Sequence, residues 1–431
     1  MTDVAMGPSE ALAALFTPEG KHDPYPLYRA LWELGPVVPL GPRMTLVLGY
    51  QECCAALREP DLLVTDAAVH QSTGMLEHSS WQCFTKIMMF SNEPDHDRLR
   101  RFAREAYSAR RVATLRPMAE RSCARLLARL SELDTGGPVD LVSEFTFRLP
   151  MAVTGELLGI PEADRMGLRA AITACTTAFE PILDLDELRP GDAGMDVLLD
   201  YLGGLLRERR AHPADDLISS MVSERDATGA LSDEELLASL VMFLIAGAQT
   251  PSDLIGNIVR LALEHPEATQ DTSAFITESM RFDPAIHALT RSAARDLDLF
   301  GTRVAAGSRV LLVLAAANRD PRRFTDPGRF DVTRADNQPL AFGLGTHYCL
   351  GAALARMQTE VALPMVLTAF PTMALTRPLS YRDQLVQRGL ARMGVTLVET
   401  TAQVHATAGR SRRGAVTGDL AESTVAYSSI L

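Results

Sequence analysis

The stretch Phe342-Gly343-Leu344-Gly345-Thr346-His347-Tyr348-Cys349-Leu350-Gly351 sets one cysteine among glycines and runs straight into a helical pattern. Ala352, Ala353, Ala355, Met357, Val361 and Met365 carry helical spacing, with small residues in the first turn. Cys349 therefore falls where backbone N–H groups and the positive helix end stabilise a negative sulfur. Gly343, Gly345 and Gly351 let the backbone approach a flat ligand closely. The stretch suits a thiolate that holds a large, flat metal cofactor. A lone cysteine is more often a small buried hydrophobe, so the reading depends on its surroundings.

The spacing F-x-x-G-x-x-x-C-x-G is filled here by Phe342, Gly345, Cys349 and Gly351, and it resembles the haem-ligand signature of the cytochrome P450 family. The resemblance covers roughly residues 20–400. It implies a single large domain, mainly α with a small β-rich region, and makes Cys349 the proximal ligand of a haem b iron. A thiolate in that place pushes electron density to the opposite face and favours O–O cleavage.

A length of 431 residues would by itself suggest two or three domains, and the resemblance overrides that prior. With 47% hydrophobic residues the chain has ample material for a core, and its net charge of -12 argues against nucleic acid or an anionic membrane as partner. Met1 to Gly20 lacks the basic start and apolar block of a secretory signal, and the run Leu236 to Ala248 is too short to span a bilayer. Six cysteines without a C-x-x-C pair point to free thiols in a reducing cytoplasm. Residues 1–20 read as a lead, 21–399 as the catalytic domain, and 400–431, rich in Ser, Thr, Ala and Gly, as a flexible tail.

Val37-Val38-Pro39-Leu40 and Thr45-Leu46-Val47-Leu48 read as a β-hairpin joined through Gly41-Pro42. Apolar spacing predicts helices over 113–133, 141–158 and 195–206, with a loop over Pro181–Ala193. Ser232 and Glu235 form a capping box that starts a long helix at Asp233. That helix carries Ala246-Gly247-Ala248-Gln249-Thr250-Pro251, which alone reads as a buried helix with a proline kink. In context it resembles the family's oxygen-activation segment, which implies that the Thr250 hydroxyl faces dioxygen. Gln249 stands where the family usually has Asp or Glu, and a neutral amide holds water but does not exchange protons near neutrality. Pro251 lacks an N–H and leaves the Gly247 carbonyl without its helical partner. The expectation is that this carbonyl and the Gln249 amide hold a water in place of the missing acid.

Glu278 and Arg281, one turn apart on a helix, would ordinarily be an exposed ion pair. By resemblance they are the structural pair that fixes the segment before the cysteine, with Arg329 or Arg334 as third member. The haem propionates need donors, which the resemblance assigns to His96, Arg100, Arg291 and His347, with Ala246, Gly247, Phe342, Gly343 and Gly351 against the ring. The remaining histidines, including His22, His70 and His287, read as structural or exposed. The thirteen steps from His265 to Glu278 are fewer than the family usually has, which implies a shortened peripheral helix.

The resemblance implies a monooxygenase that inserts one atom of O2 into an apolar or amphipathic small molecule of the secondary-metabolite kind. Electrons come from NAD(P)H through a ferredoxin reductase and a ferredoxin. The arginines between Arg98 and Arg111 would dock an acidic ferredoxin, although a solvated helix face is the ordinary reading of such a run. Oxidative coupling, peroxide-driven oxidation and a non-catalytic haem carrier remain as alternatives. Thr250 weighs against the carrier, because a passive pocket needs no proton relay. Candidate pocket positions are 70–81, Phe243, Ala246, 285–289 and 386–390.

Overall fold

The computed structural model describes residues 8–40, 43–64, 74–104, 107–133, 136–181 and 184–397. Strands β1 (Val37–Pro39) and β2 (Met44–Val47) form the expected antiparallel hairpin, with Val37 opposite Val47 and Pro39 opposite Thr45. Positions 41 and 42, read as its turn, lie outside the described residues. Strands β3 (Leu62–Leu63), β4 (Leu289–Ala293) and β5 (Arg309–Leu312) complete a five-stranded sheet in the order β1-β2-β5-β4-β3. Only the β2–β5 pairing in this sheet is parallel.

Helices make up the larger part. Those that shape the site are α1 (Asp95–Arg104), α2 (Ala109–Leu133), α3 (Arg148–Leu158), α4 (Arg169–Cys175), α5 (Arg189–Ala211), α6 (Asp233–Glu264), α7 (Thr272–Phe282) and α8 (Ala352–Ala369). Helix α6 starts where the capping box requires: Ser232 Oγ accepts from the Glu235 N–H at 3.1 Å, and Glu235 Oε2 accepts from the Ser232 N–H at 2.8 Å. Apolar residues surround α6 on every side, as a helix buried among others requires. It packs against α3, α4, α5, α7 and α8, and 78% of its most apolar window is buried, so its membrane-like hydropathy is that of a core helix.

Two local readings need correction. The expected loop over Pro181–Ala193 is largely ordered: a 3-10 turn spans Leu185–Leu188 and α5 begins at Arg189. Gly191 within it and Gly194 just beyond it serve close packing rather than turning: a Cβ on Gly191 would lie 3.3 Å from the Thr177 hydroxyl, and one on Gly194 2.6 Å from the Ala171 carbonyl of α4. The pattern over 141–158 is interrupted by a π-helical turn, Val142–Thr146, before α3. Within the segment read as a lead, Ala11 and Leu15 are buried in one cluster with Tyr28 and Leu31. Between α6 and α7 one 3-10 turn, Pro266–Ala268, fills the short connection. The proposed tail, 400–431, lies outside the described residues.

Candidate active site

A cavity of about 590 Å³ lies between α6, α8 and the cysteine loop. It is lined by Cys349, Leu350 and Gly351, and also by Phe243, Ala246, Gly247 and Thr250 of α6. The cysteine loop is held by its own backbone: Cys349 N–H donates to the Phe342 carbonyl at 3.0 Å and Tyr348 N–H to that of Gly345 at 3.1 Å. Gly343 and Gly345 have φ of 67° and 77°, the left-handed region that favours glycine, and a Cβ on Gly345 would meet the Leu57 carbonyl at 2.5 Å. The Cys349 side chain is open to the cavity but set deep in the protein. Burial pushes its thiol up, while the Gly351 N–H and the Arg100 guanidinium pull it down. A metal ion at the sulfur would deprotonate it outright.

The segment leading to this loop hangs on a buried ion pair. Glu278 and Arg281 are both 0% exposed and joined by two parallel bonds of 2.7 Å. Arg281 also donates to the carbonyls of Asn318, Pro327 and Arg329, and Glu278 accepts from Asn337 and from the Asp331 N–H. The third member is Arg334, whose Nε reaches Glu278 Oε1 at 3.2 Å. Arg329 turns its side chain outward to Asp331.

His96, Arg100, Arg291 and His347 all line the cavity. The His96 and His347 rings lie 4.0 Å apart, and the buried His96 Nε2 has no hydrogen-bond partner. Arg291, on β4, is buried without a carboxylate partner among the described residues, and burial lowers its pKa to about 10. Burial also depresses His347, to about 3, and the charges of His96, Arg291 and Arg100 add to that effect. Arg100 donates to the Tyr348 carbonyl at 2.7 Å. Positive groups gathered in a cavity with an orphaned donor fit a ligand bearing carboxylates, and with Cys349 beside them they fit haem.

The oxygen segment departs from expectation. Thr154 of α3 donates its hydroxyl to the Gly247 carbonyl at 2.8 Å, so the acceptor freed by Pro251 already has a partner. Gly247 makes this possible, since a Cβ there would lie 2.7 Å from the Thr154 oxygen. Gln249 is buried away from the cavity: Oε1 accepts from Thr173 at 2.8 Å and Nε2 donates to Asp253 at 3.1 Å. The water shared by Gly247 and Gln249 is therefore not supported. Thr250 lines the cavity and donates to the Ala246 carbonyl at 2.7 Å.

The chain matches known proteins over most of its length. A sequence profile described as Cytochrome P450 matches residues 270–379. The vitamin D(3) 25-hydroxylase of Pseudonocardia autotrophica is 38% identical over 73% of this chain and 78% of that protein. The 6-deoxyerythronolide B hydroxylase of Saccharopolyspora erythraea is 34% identical over 87% of this chain and 96% of that protein. The chain belongs to the cytochrome P450 family. Among solved structures, the ligand-free P450 CYP164A2 of Mycobacterium smegmatis superposes with a TM-score of 0.80 at 31% identity, over 90% of this chain and 99% of that one. The protein is thus a P450 monooxygenase, and the non-catalytic carrier is set aside.

Of the expected pocket positions, this P450 brings Met75, Trp81, Phe243, Ala246, Ala285, Ile286, Ala288, Leu289 and Val386 to the cavity. His287 instead packs in the core, between Tyr25, Tyr28 and Asp283. Positions 70–73 lie outside the described residues. Sequence reasoning missed Phe179 and Glu180, because they border a segment read as loop. The Glu180 carboxylate accepts from the N–H groups of Leu385, Val386 and Gln387, at 2.6 to 3.3 Å. It ties the Phe179 wall to the Val386 wall.

Proposed function

We propose that this P450 binds haem b through Cys349 and hydroxylates an apolar or amphipathic small organic molecule of the secondary-metabolite kind. The observation that carries the reading is one cavity lined by Cys349, by Thr250 and by the set His96, Arg100, Arg291 and His347. When bound, haem would supply dioxygen binding and O–O cleavage. His96, Arg100, Arg291 and His347 would seat the propionates, and Phe342, Gly343, Gly351, Ala246 and Gly247, which line the same cavity, would border the ring. Thr250, whose hydroxyl lines the cavity, would hold and pass a proton there. Apolar walls, including Met88, Phe90, Phe179 and Met242, exclude water and favour a hydrophobic substrate. Two relatives named as hydroxylases of vitamin D(3) and 6-deoxyerythronolide B support the same class.

Electrons would come from NAD(P)H through a ferredoxin reductase and a ferredoxin, in a cytoplasm that keeps all six thiols free. Within the expected docking cluster, Arg98 is bound to Glu235 and Asp95, and Arg101 to Asp97. Arg104, Arg110 and Arg111 are exposed and have no carboxylate partner among the described residues, so they carry the proposed contact. The test is spectroscopic. Cys349→His should keep haem binding but abolish the thiolate-shifted Soret band of the carbonyl complex; a retained shift sinks the assignment. Screening hydrophobic compounds for a Soret shift then defines the substrate.

A further inference from the structure

The cavity extends beyond the residues that would seat haem: Phe16, Met44, Ser292, Arg309 and Leu311 also line it. Three of these form one row across the five-stranded sheet. Met44 of β2 is paired with Arg309 of β5, and Arg309 lies opposite Ser292 of β4. Directly opposed residues of a ladder share a face, which brings the guanidinium stem of Arg309 beside the Ser292 hydroxyl. Arg291, the strand neighbour of Ser292, is paired with Val310 instead, so alternation turns it to the other face. One arm of the cavity therefore lies on a sheet face that Arg291 does not share. Leu311 falls on this face with Arg309, and Phe16 packs on the apolar cluster that holds Leu311, so the arm has apolar walls around its one charge.

That charge is unmatched within the chain. Arg309 is partly exposed and Ser292 only 9% exposed, and neither side chain has a hydrogen-bond or ion-pair partner among the described residues. Among the described residues Glu180 is the one acid that lines the cavity, and its carboxylate already accepts from the N–H groups of Leu385, Val386 and Gln387. We propose that Arg309 and Ser292 form a subsite for the carboxylate of an amphipathic substrate, whose apolar body lies against Phe16, Met44 and Leu311. The guanidinium fork donates two parallel bonds to a carboxylate, and the serine hydroxyl adds a third donor. One guanidinium matches the single charge of a carboxylate, whereas a phosphate monoester carries close to two. Arg309 and Ser292 set specificity and take no part in the oxidation. The inference rests on the reading of this cavity as the substrate site of a haem-loaded P450.

The experiment titrates the haem-loaded full chain with dodecanoate and with dodecan-1-ol, followed by calorimetry and by the Soret band. The wild-type protein should bind the acid more tightly than the alcohol. Arg309→Leu should weaken dodecanoate by about 10- to 100-fold and leave dodecan-1-ol unchanged. Ser292→Ala should weaken the acid severalfold, and Arg309→Lys should restore part of what the leucine variant loses. A crystal structure with dodecanoate should place its carboxylate within hydrogen-bond distance of Arg309. Should the leucine variant fold poorly, Arg309→Gln serves in its place. An equal loss for acid and alcohol, or a wild-type protein that prefers the alcohol or binds neither, overturns the proposal. Tighter binding of dodecyl phosphate than of dodecanoate overturns the choice of a carboxylate. Failure of the reading beneath it is separate: the wild-type carbonyl complex would then lack the thiolate-shifted Soret band, whichever compound binds.

Discussion

At the scale of single residues, orientation decides function, and Gln249 illustrates why. Its place before Thr250 is legible in the sequence, but the direction of its side chain depends on Thr173 and Asp253, which lie on other turns and another helix. Gln249→Glu should therefore add a second carboxylate beside Asp253. The expected outcome is a loss of about 1–3 kcal/mol in urea unfolding, with no gain in coupling. Thr154→Val removes the hydroxyl that donates to the Gly247 carbonyl and should cost about 1–3 kcal/mol by the same measurement. Cys349 was readable because its neighbours in sequence are its neighbours in space. Thr154 was not, since it reaches Gly247 from a helix 93 residues away.

Among elements, the buried Glu278–Arg281 pair governs how the chain reaches Cys349. Glu278→Ala leaves Arg281 charged and unpaired in the core, at a cost of about 3–5 kcal/mol. Calorimetry should show the loss, and haem retention should fall with it. Arg334→Ala should destabilise by about 1.5–3 kcal/mol, whereas Arg329→Ala should stay within about 0.5 kcal/mol of wild type, because the Arg334 side chain is 9% exposed and that of Arg329 is 69%. The E-x-x-R spacing was enough to locate the pair. Choosing its third member needed the path of residues 327–337, where backbone carbonyls rather than side-chain types set the geometry. The α5 start was misread for a related reason: Gly191 and Gly194 resemble loop residues until the neighbouring helix that they approach is known.

For the whole molecule, acid stability depends on a buried cluster around Asp283. Asp283 accepts from Tyr25, Arg260 and Arg388, and His287 lies beside it. Burial raises Asp283, but Arg388, His287 and Arg260 overcome it and hold the carboxyl well below its usual range. Burial lowers His287 from 6.5 to about 4 against the pull of Asp283. The unfolded chain then binds the His287 proton more readily between those values, so stability is complete above pH 6.5 and lost as pH falls towards 4. His287→Gln should flatten that slope, by on the order of 2–4 kcal/mol across the window in urea unfolding. At the surface, Arg104→Glu with Arg111→Glu should slow ferredoxin reduction of the haem and weaken its salt dependence, seen by stopped flow. The Glu180 tie has a consequence for adaptability. Because one carboxylate spans two walls, the Phe179–Val386 corner yields as a unit and resists gradual reshaping. Methionines such as Met88 and Met242 re-pack one at a time, so new substrates would be accommodated there, measured against a corner that serves as the fixed datum.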